Sequence, residues 1–175
     1  MITELTRMWL TRSTKPFLFK NEYDQELPFS DCDGLGLYVH IPFCRSICSF
    51  CPYCKTLYSE EACSRYIDAL IREIHLAGSQ IPGKKTVTSL YFGGGTPALA
   101  ADRIKEIIDA IQEHFIITQG IGIELHPENV TPRTLHILKE AGITKLSIGI
   151  QSFQEKFQKL LGRTGADMDP LKAAL

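Results

Sequence analysis

Apolar positions in this chain fall into short continuous runs that alternate with stripes of helical period. Residues 35–41 are apolar at nearly every position, which predicts a strand buried on both faces, as in a parallel sheet. Ser59 then has the character of an N-cap, with Glu60 and Glu61 suited to the positive end of a helix. Ala62, Tyr66, Ile67, Leu70, Ile71 and Ile74 recur at helical spacing, and Gly78 is expected to end that helix. Residues 87–92 predict a second strand, followed by Gly93-Gly94-Gly95-Thr96-Pro97. A second helix is predicted over residues 102–115, with Ile104, Ile107, Ile108 and Ile111 on one face. Residues 121–125 predict a third strand carrying Glu124 near its end. Thr131 caps a third helix with Pro132 in its first position; Leu135, Leu138 and Ala141 line it, and Gly142 stops it. Residues 145–150 predict a fourth strand, and residues 154–161 a fourth helix.

Four strand–helix repeats imply an α/β fold with parallel, right-handed crossovers. The cysteine loop after the first strand, the glycine run, Glu124 and Gln151 all fall at or just past a strand's carboxyl end. Parallel α/β architectures gather their sites at that rim, where neighbouring loops converge. Residues 1–33 show no sustained period and read as an N-terminal arm whose Trp9, Phe17, Phe19 and Tyr23 pack on the domain. Residues 34–175 form the core domain.

Composition narrows the function more by exclusion. The 175 residues are enough for one domain with a real core, and a net charge of −1 makes no electrostatic case for nucleic acid or an anionic membrane surface. No apolar run approaches the roughly 18 residues that span a bilayer, and residues 1–20 lack a signal-peptide core. Six cysteines in such a chain favour metal or redox chemistry in a reducing, cytoplasmic setting over a disulfide frame.

Four of those cysteines lie within eleven positions, and Cys44, Cys48 and Cys51 are spaced Cys-x3-Cys-x2-Cys. Thiolates this close on one loop converge, and their charge requires a soft cation or an iron–sulfur cluster. A structural zinc site is the competing reading, because Cys48/Cys51 and Cys51/Cys54 are both Cys-x2-Cys pairs. His40 is expected to pack or hydrogen-bond locally. Cys32 and Cys63 read as ordinary buried or semi-buried thiols. His75, His114, His126 and His136 show no ligand spacing.

Tyr38-x-His40-Ile41-Pro42-Phe43-Cys44-x3-Cys48-x-Phe50-Cys51 resembles the radical S-adenosylmethionine (SAM) enzymes, in the branch of oxygen-independent coproporphyrinogen III oxidase and its relatives, which include a heme chaperone and radical methyltransferases. The resemblance runs from about residue 34 to 163. It implies a partial (β/α)6 barrel, of which this chain supplies about four units, and so a piece of a longer product with one strand edge and much barrel-facing apolar surface left open. It implies a [4Fe–4S] cluster on Cys44, Cys48 and Cys51, with one iron open to SAM. It places Tyr38, Phe50, Gly94, Gly95, Thr96, Glu124, Gln151 and Arg163 as SAM contacts, the glycine run receiving the amino group of the methionine part. Phe50 would also shield the cluster, and an arginine such as Arg163 suits a carboxylate through its planar fork. The activity implied is reductive cleavage of SAM to a 5′-deoxyadenosyl radical that takes hydrogen from a tetrapyrrole-like substrate, with an electron donor such as flavodoxin or ferredoxin. Cys54 departs from the oxidase pattern, whose further cysteine lies two positions after the third ligand rather than three; it is expected to be a non-ligand thiol.

Overall fold

The computed structural model describes residues 32–162 and Thr6. The elements follow in the order β1 (Gly34–Ile41), β2 (Phe43–Cys44), β3 (Thr56–Leu57), α1 (Glu60–Ser79), β4 (Lys85–Gly94), a 3-10 turn (Pro97–Ala100), α2 (Ala101–His114), β5 (Phe115–Ile117), β6 (Ile121–Leu125), a second 3-10 turn (Pro127–Asn129), α3 (Pro132–Glu140), β7 (Ile143–Ile148) and α4 (Glu155–Leu160). The main sheet runs β1-β4-β6-β7, with β5 against the start of β4, and every pairing is parallel. The arm aromatics Trp9, Phe17, Phe19 and Tyr23 lie outside the described residues.

One face of the sheet makes the core. Val39, Ile41, Leu90, Phe92, Ile121, Ile123 and Leu125 meet Ile67 of α1, Ile104, Ile107, Ile108 and Ile111 of α2, and Leu138 of α3. Val87 and Leu90 lie three positions apart, an odd separation that would place them on opposite faces of a regular strand. The β1–β4 register shifts between Leu35 and Gly36, and the extra residue, Thr88, turns both inward. Thr144 is the extra residue at the corresponding shift beside β6, next to the buried Ile143.

The other face corrects two expectations. β1 is not buried on both faces: Gly36 and Tyr38 are exposed while Val39 and Ile41 are buried. The uncovered face is not apolar either, for it carries Tyr38, His40, Ser89, Tyr91, Glu124, Lys145 and Ser147. The strand alternates with period two, and its aromatic and glycine positions disguise this as a continuous apolar run.

Helix ends follow local chemistry. Ser59 Oγ accepts from the Ala62 N–H at 3.2 Å, and Thr131 Oγ1 from the Thr134 N–H at 3.1 Å. Gly142 takes a φ of +92° just past α3, as a left-handed helix stop requires. Gly78 is not such a stop. α1 runs through it to Ser79, and Gly78 is buried against another helix. The fourth strand begins two residues earlier than predicted, immediately after Gly142, and leaves the sheet at Gly149. Ser59→Ala is expected to cost about 1 kcal/mol, read as a lower urea midpoint at unchanged slope.

Candidate functional site

The cysteine loop leaves the sheet at Pro42 and comes back alongside it. β2 pairs parallel with β3, the Thr56 N–H donates to the Pro42 carbonyl at 2.8 Å, and the Tyr58 N–H donates to the Cys44 carbonyl at 2.9 Å. Both ends of the eleven-residue excursion between β2 and β3 are thereby held by backbone bonds. Below the loop, Phe43 is buried and meets Tyr58 and Tyr66 edge-on. Tyr66 Oη donates to the His40 carbonyl at 2.7 Å, tying α1 to the end of β1.

The glycine run is joined to the same loop. The Gly95 N–H donates to the Ile41 carbonyl at 2.9 Å, and the Thr96 N–H to the Phe43 carbonyl at 2.7 Å. This continues the β1–β4 ladder past the sheet and draws the run against Cys44. A Cβ on Gly95 would stand 2.6 Å from the Phe43 carbonyl oxygen and 2.8 Å from Cys44 Sγ. One on Gly94, whose φ is +123°, would stand 2.7 Å from the Ile41 carbonyl oxygen. The glycines are therefore required for the chain to fit itself, before any ligand is considered.

These elements enclose a cavity of about 390 Å³ at the carboxyl rim of the sheet. Cys44, Cys48, Cys51, Phe50, Gly94, Gly95, Thr96, Glu124 and Gln151 all line it. Two expected residues stand apart. Tyr38 is not among the lining residues; it is 59% exposed on the uncovered face, with Oη 3.2 Å from His40 Nδ1. Arg163 lies outside the described residues. His40 hydrogen-bonds locally, its Nε2 lying 3.0 Å from the Cys54 carbonyl. Cys54 is exposed and does not line the cavity. Cys63 is buried as expected, whereas Cys32 is exposed.

Several lining groups were not singled out from sequence: Arg45, Lys55, His126, Glu128 and Asn129. Lys55 follows the cysteines directly, and its Nζ donates to the Cys51 carbonyl. A basic residue within a thiol-rich loop is a usable signal. His126 and Asn129 surround the 3-10 turn after β6, whose position only the fold reveals.

The electrostatics suit a soft, positively charged guest. Burial pushes the Cys44 thiol up; a long Thr96 hydroxyl contact at 3.9 Å opposes this, the Cys51 and Cys48 sulfurs add to it, and Lys55 opposes it. Three thiolates here repel one another until a cation or cluster neutralises them. Glu124 faces the cavity from the end of β6 and accepts from Tyr91 Oη at 3.5 Å. Gln151 takes a φ of +66°, and it is the non-glycine residue in this region among the described residues. Such a conformation costs on the order of 1–3 kcal/mol and clusters at functional sites.

Fold and site together define an open parallel α/β sheet whose carboxyl rim holds a cavity lined by three free cysteines. Residues 38–175 match the Radical SAM superfamily, and the chain belongs to it. The superfamily's cofactors are a [4Fe–4S] cluster and SAM, and the free thiols and side-chain-free glycine wall of the cavity fit that pair. Over 132 residues the chain is 39% identical to anaerobilin synthase of Escherichia coli O157:H7, covering 73% of this chain and 30% of that protein. It is 34% identical over 135 residues to oxygen-independent coproporphyrinogen III oxidase of Paracoccus denitrificans, covering 74% and 30%. It is 32% identical over 138 residues to the heme chaperone HemW of Bacillus subtilis, covering 75% and 36%. The solved structure of coproporphyrinogen III oxidase (HemN) from Escherichia coli, described as a radical SAM enzyme, superposes with a TM-score of 0.73 at 32% identity, over 81% of this chain and 33% of that one. The chain thus spans only part of the length of each relative. No described helix is long and apolar enough to cross a membrane.

Proposed function

We propose that residues 34–175 are the amino-terminal portion of a radical SAM core that binds its cluster through Cys44, Cys48 and Cys51 and acts on a tetrapyrrole. The observation that carries this is the convergence of those three cysteines with Gly94, Gly95, Thr96, Glu124 and Gln151 on one cavity. Cys44, Cys48 and Cys51 would hold the cluster, which, with a one-electron donor such as flavodoxin or ferredoxin, would supply reductive cleavage of SAM to methionine and a 5′-deoxyadenosyl radical.

The chain's own residues hold and orient. Cys44 is fixed by the backbone bonds of β2 and by its contact with Gly95. Arg45 and Lys55 offset the negative charge of the thiolate centre. Gly94, Gly95 and Thr96 would present backbone to the amino group of SAM, the two glycines with no side chain intervening. Glu124 would accept from ribose hydroxyls, Phe50 would lie by the adenine and keep water from the cluster, and Gln151 would add a contact, whereas Tyr38 stands outside the cavity. A cytoplasmic location accords with thiols that must stay reduced.

Anaerobic reconstitution with iron and sulfide, followed by assay for 5′-deoxyadenosine, tests the reading. The expected result is about four irons per chain and SAM cleavage under dithionite. Absence of both iron and labile sulfide after reconstitution overturns it.

A second reading has an observation in its favour. Cys54 is displaced by one position from the oxidase pattern and lies exposed outside the cavity, and some relatives are named heme chaperones. Heme retention without 5′-deoxyadenosine formation would select that reading. Transfer of a labelled methyl group from SAM would select a radical methyltransferase.

A further inference from the structure

At the end of the domain far from the cysteine cavity, α1 and α2 bring three ligating side chains together. His75 lies fifteen residues after Glu60, the first residue of α1, and so roughly 22 Å along the helix axis from the cysteine rim. His114 is the last residue of α2, and Glu113 precedes it. His75 Nδ1 lies 3.0 Å from His114 Nε2 and 3.7 Å from Glu113 Oε2. One donor atom from each residue falls within 4.8 Å of the other two. We propose that His75, Glu113 and His114 form a site for a divalent d-block cation such as Zn²⁺, which clamps the carboxyl ends of α1 and α2.

Four independent features support the proposal. With metal–ligand bonds of about 2.0–2.1 Å, neighbouring donors of a tetrahedral ion stand about 3.3 Å apart. The observed separations of 3.0 and 3.7 Å bracket that value. Two imidazoles and one carboxylate make a donor set that zinc accepts, leaving the fourth position for water. Both histidines lie near helix carboxyl ends, where the partial negative charge of unpaired carbonyls favours a cation.

The fourth feature is Gly78. A Cβ there would stand 2.2 Å from His114 Cγ, so the glycine inside α1 is what lets the His114 ring lie against the helix beside His75. The rings meet edge-to-face with centroids 5.3 Å apart. A glycine inside a helix is destabilising relative to alanine. Here that cost is spent on holding one imidazole against another in ligating register.

Zinc itself is the probe, titrated calorimetrically into the full chain bearing Cys44→Ala, Cys48→Ala and Cys51→Ala, so that the loop thiols do not compete. One site is expected. His75→Gln or His114→Gln should weaken binding by more than about tenfold, the loss already seen for outer-shell partners of metal ligands. Glu113→Gln, a change at an exposed carboxylate that leaves the helix intact, should also weaken it. Zinc should raise the melting temperature only when both histidines are present. No zinc uptake overturns the proposal. So does uptake that is unchanged in a folded His75→Gln/His114→Gln double variant.

Discussion

A chain with Cys44→Ala, Cys48→Ala and Cys51→Ala is expected to emerge from anaerobic reconstitution colourless, without iron or labile sulfide and without SAM cleavage, yet folded. Its folding follows from where the thiols lie. All three are only partly buried, and none belongs to the core formed between the sheet and α1, α2 and α3. Substitutions at such positions usually change stability by no more than about 0.5 kcal/mol each. The loop's shape is held by backbone bonds from Thr56, Tyr58, Gly95 and Thr96, none of which uses a sulfur. Circular dichroism and the thermal midpoint should therefore match the parent in its metal-free state. Cys54→Ala, at an exposed thiol outside the cavity, should keep full cluster content. Full cluster absorbance in the triple variant, or its loss on removing Cys54 alone, would show that the ligands are assigned wrongly.

The second large effect is expected at glycine. Gly94→Ala forces a side chain onto a backbone at φ +123°, 2.7 Å from the Ile41 carbonyl oxygen. Strain of that kind costs about 1–3 kcal/mol, and overpacking against a rigid backbone costs about as much again. Gly95→Ala meets the Phe43 carbonyl carbon and Cys44 Sγ, both at 2.8 Å, so something must move, and the mobile partner is the first turn of the cysteine loop. Cluster uptake should fall sharply in Gly95→Ala, and stability should fall in both variants, read by urea unfolding. Gly36→Ala is the control. Nothing lies within 4 Å of its added Cβ, and its φ is not positive, so it should be neutral or stabilising by up to about 1 kcal/mol. Equal behaviour of all three variants would mean that the run is only a flexible turn.

Much of the secondary structure could be read in advance because its determinants are local. The isoleucine stripe of α2, the caps at Ser59 and Thr131 and the stop at Gly142 each depend on residues within one or two turns. Two kinds of feature escaped. β2 and β3 are two residues long, and β5 is three, too short to show a period. They exist because backbone groups at the rim and at the base of β4 need partners. The uncovered face of β1 escaped as well, since Gly36 and Tyr38 do not look polar in a sequence, yet they alternate with the buried Val39 and Ile41.

The linear order of residues was sufficient to put Cys44, Cys48 and Cys51 on one loop, where their spacing keeps the thiols close. It was sufficient too for the order of the four longer strands and the helices, which short-range periodicity determines. Only the folded sheet decided that Glu124, His126 and Gln151 face those thiols, that Tyr38 stands outside the cavity, and that Gly78 serves as a seat for His114. It alone brought His75 within hydrogen-bond distance of a histidine thirty-nine residues away. Contacts between separate crossovers depend on strand order and register, and those are set by the whole core at once.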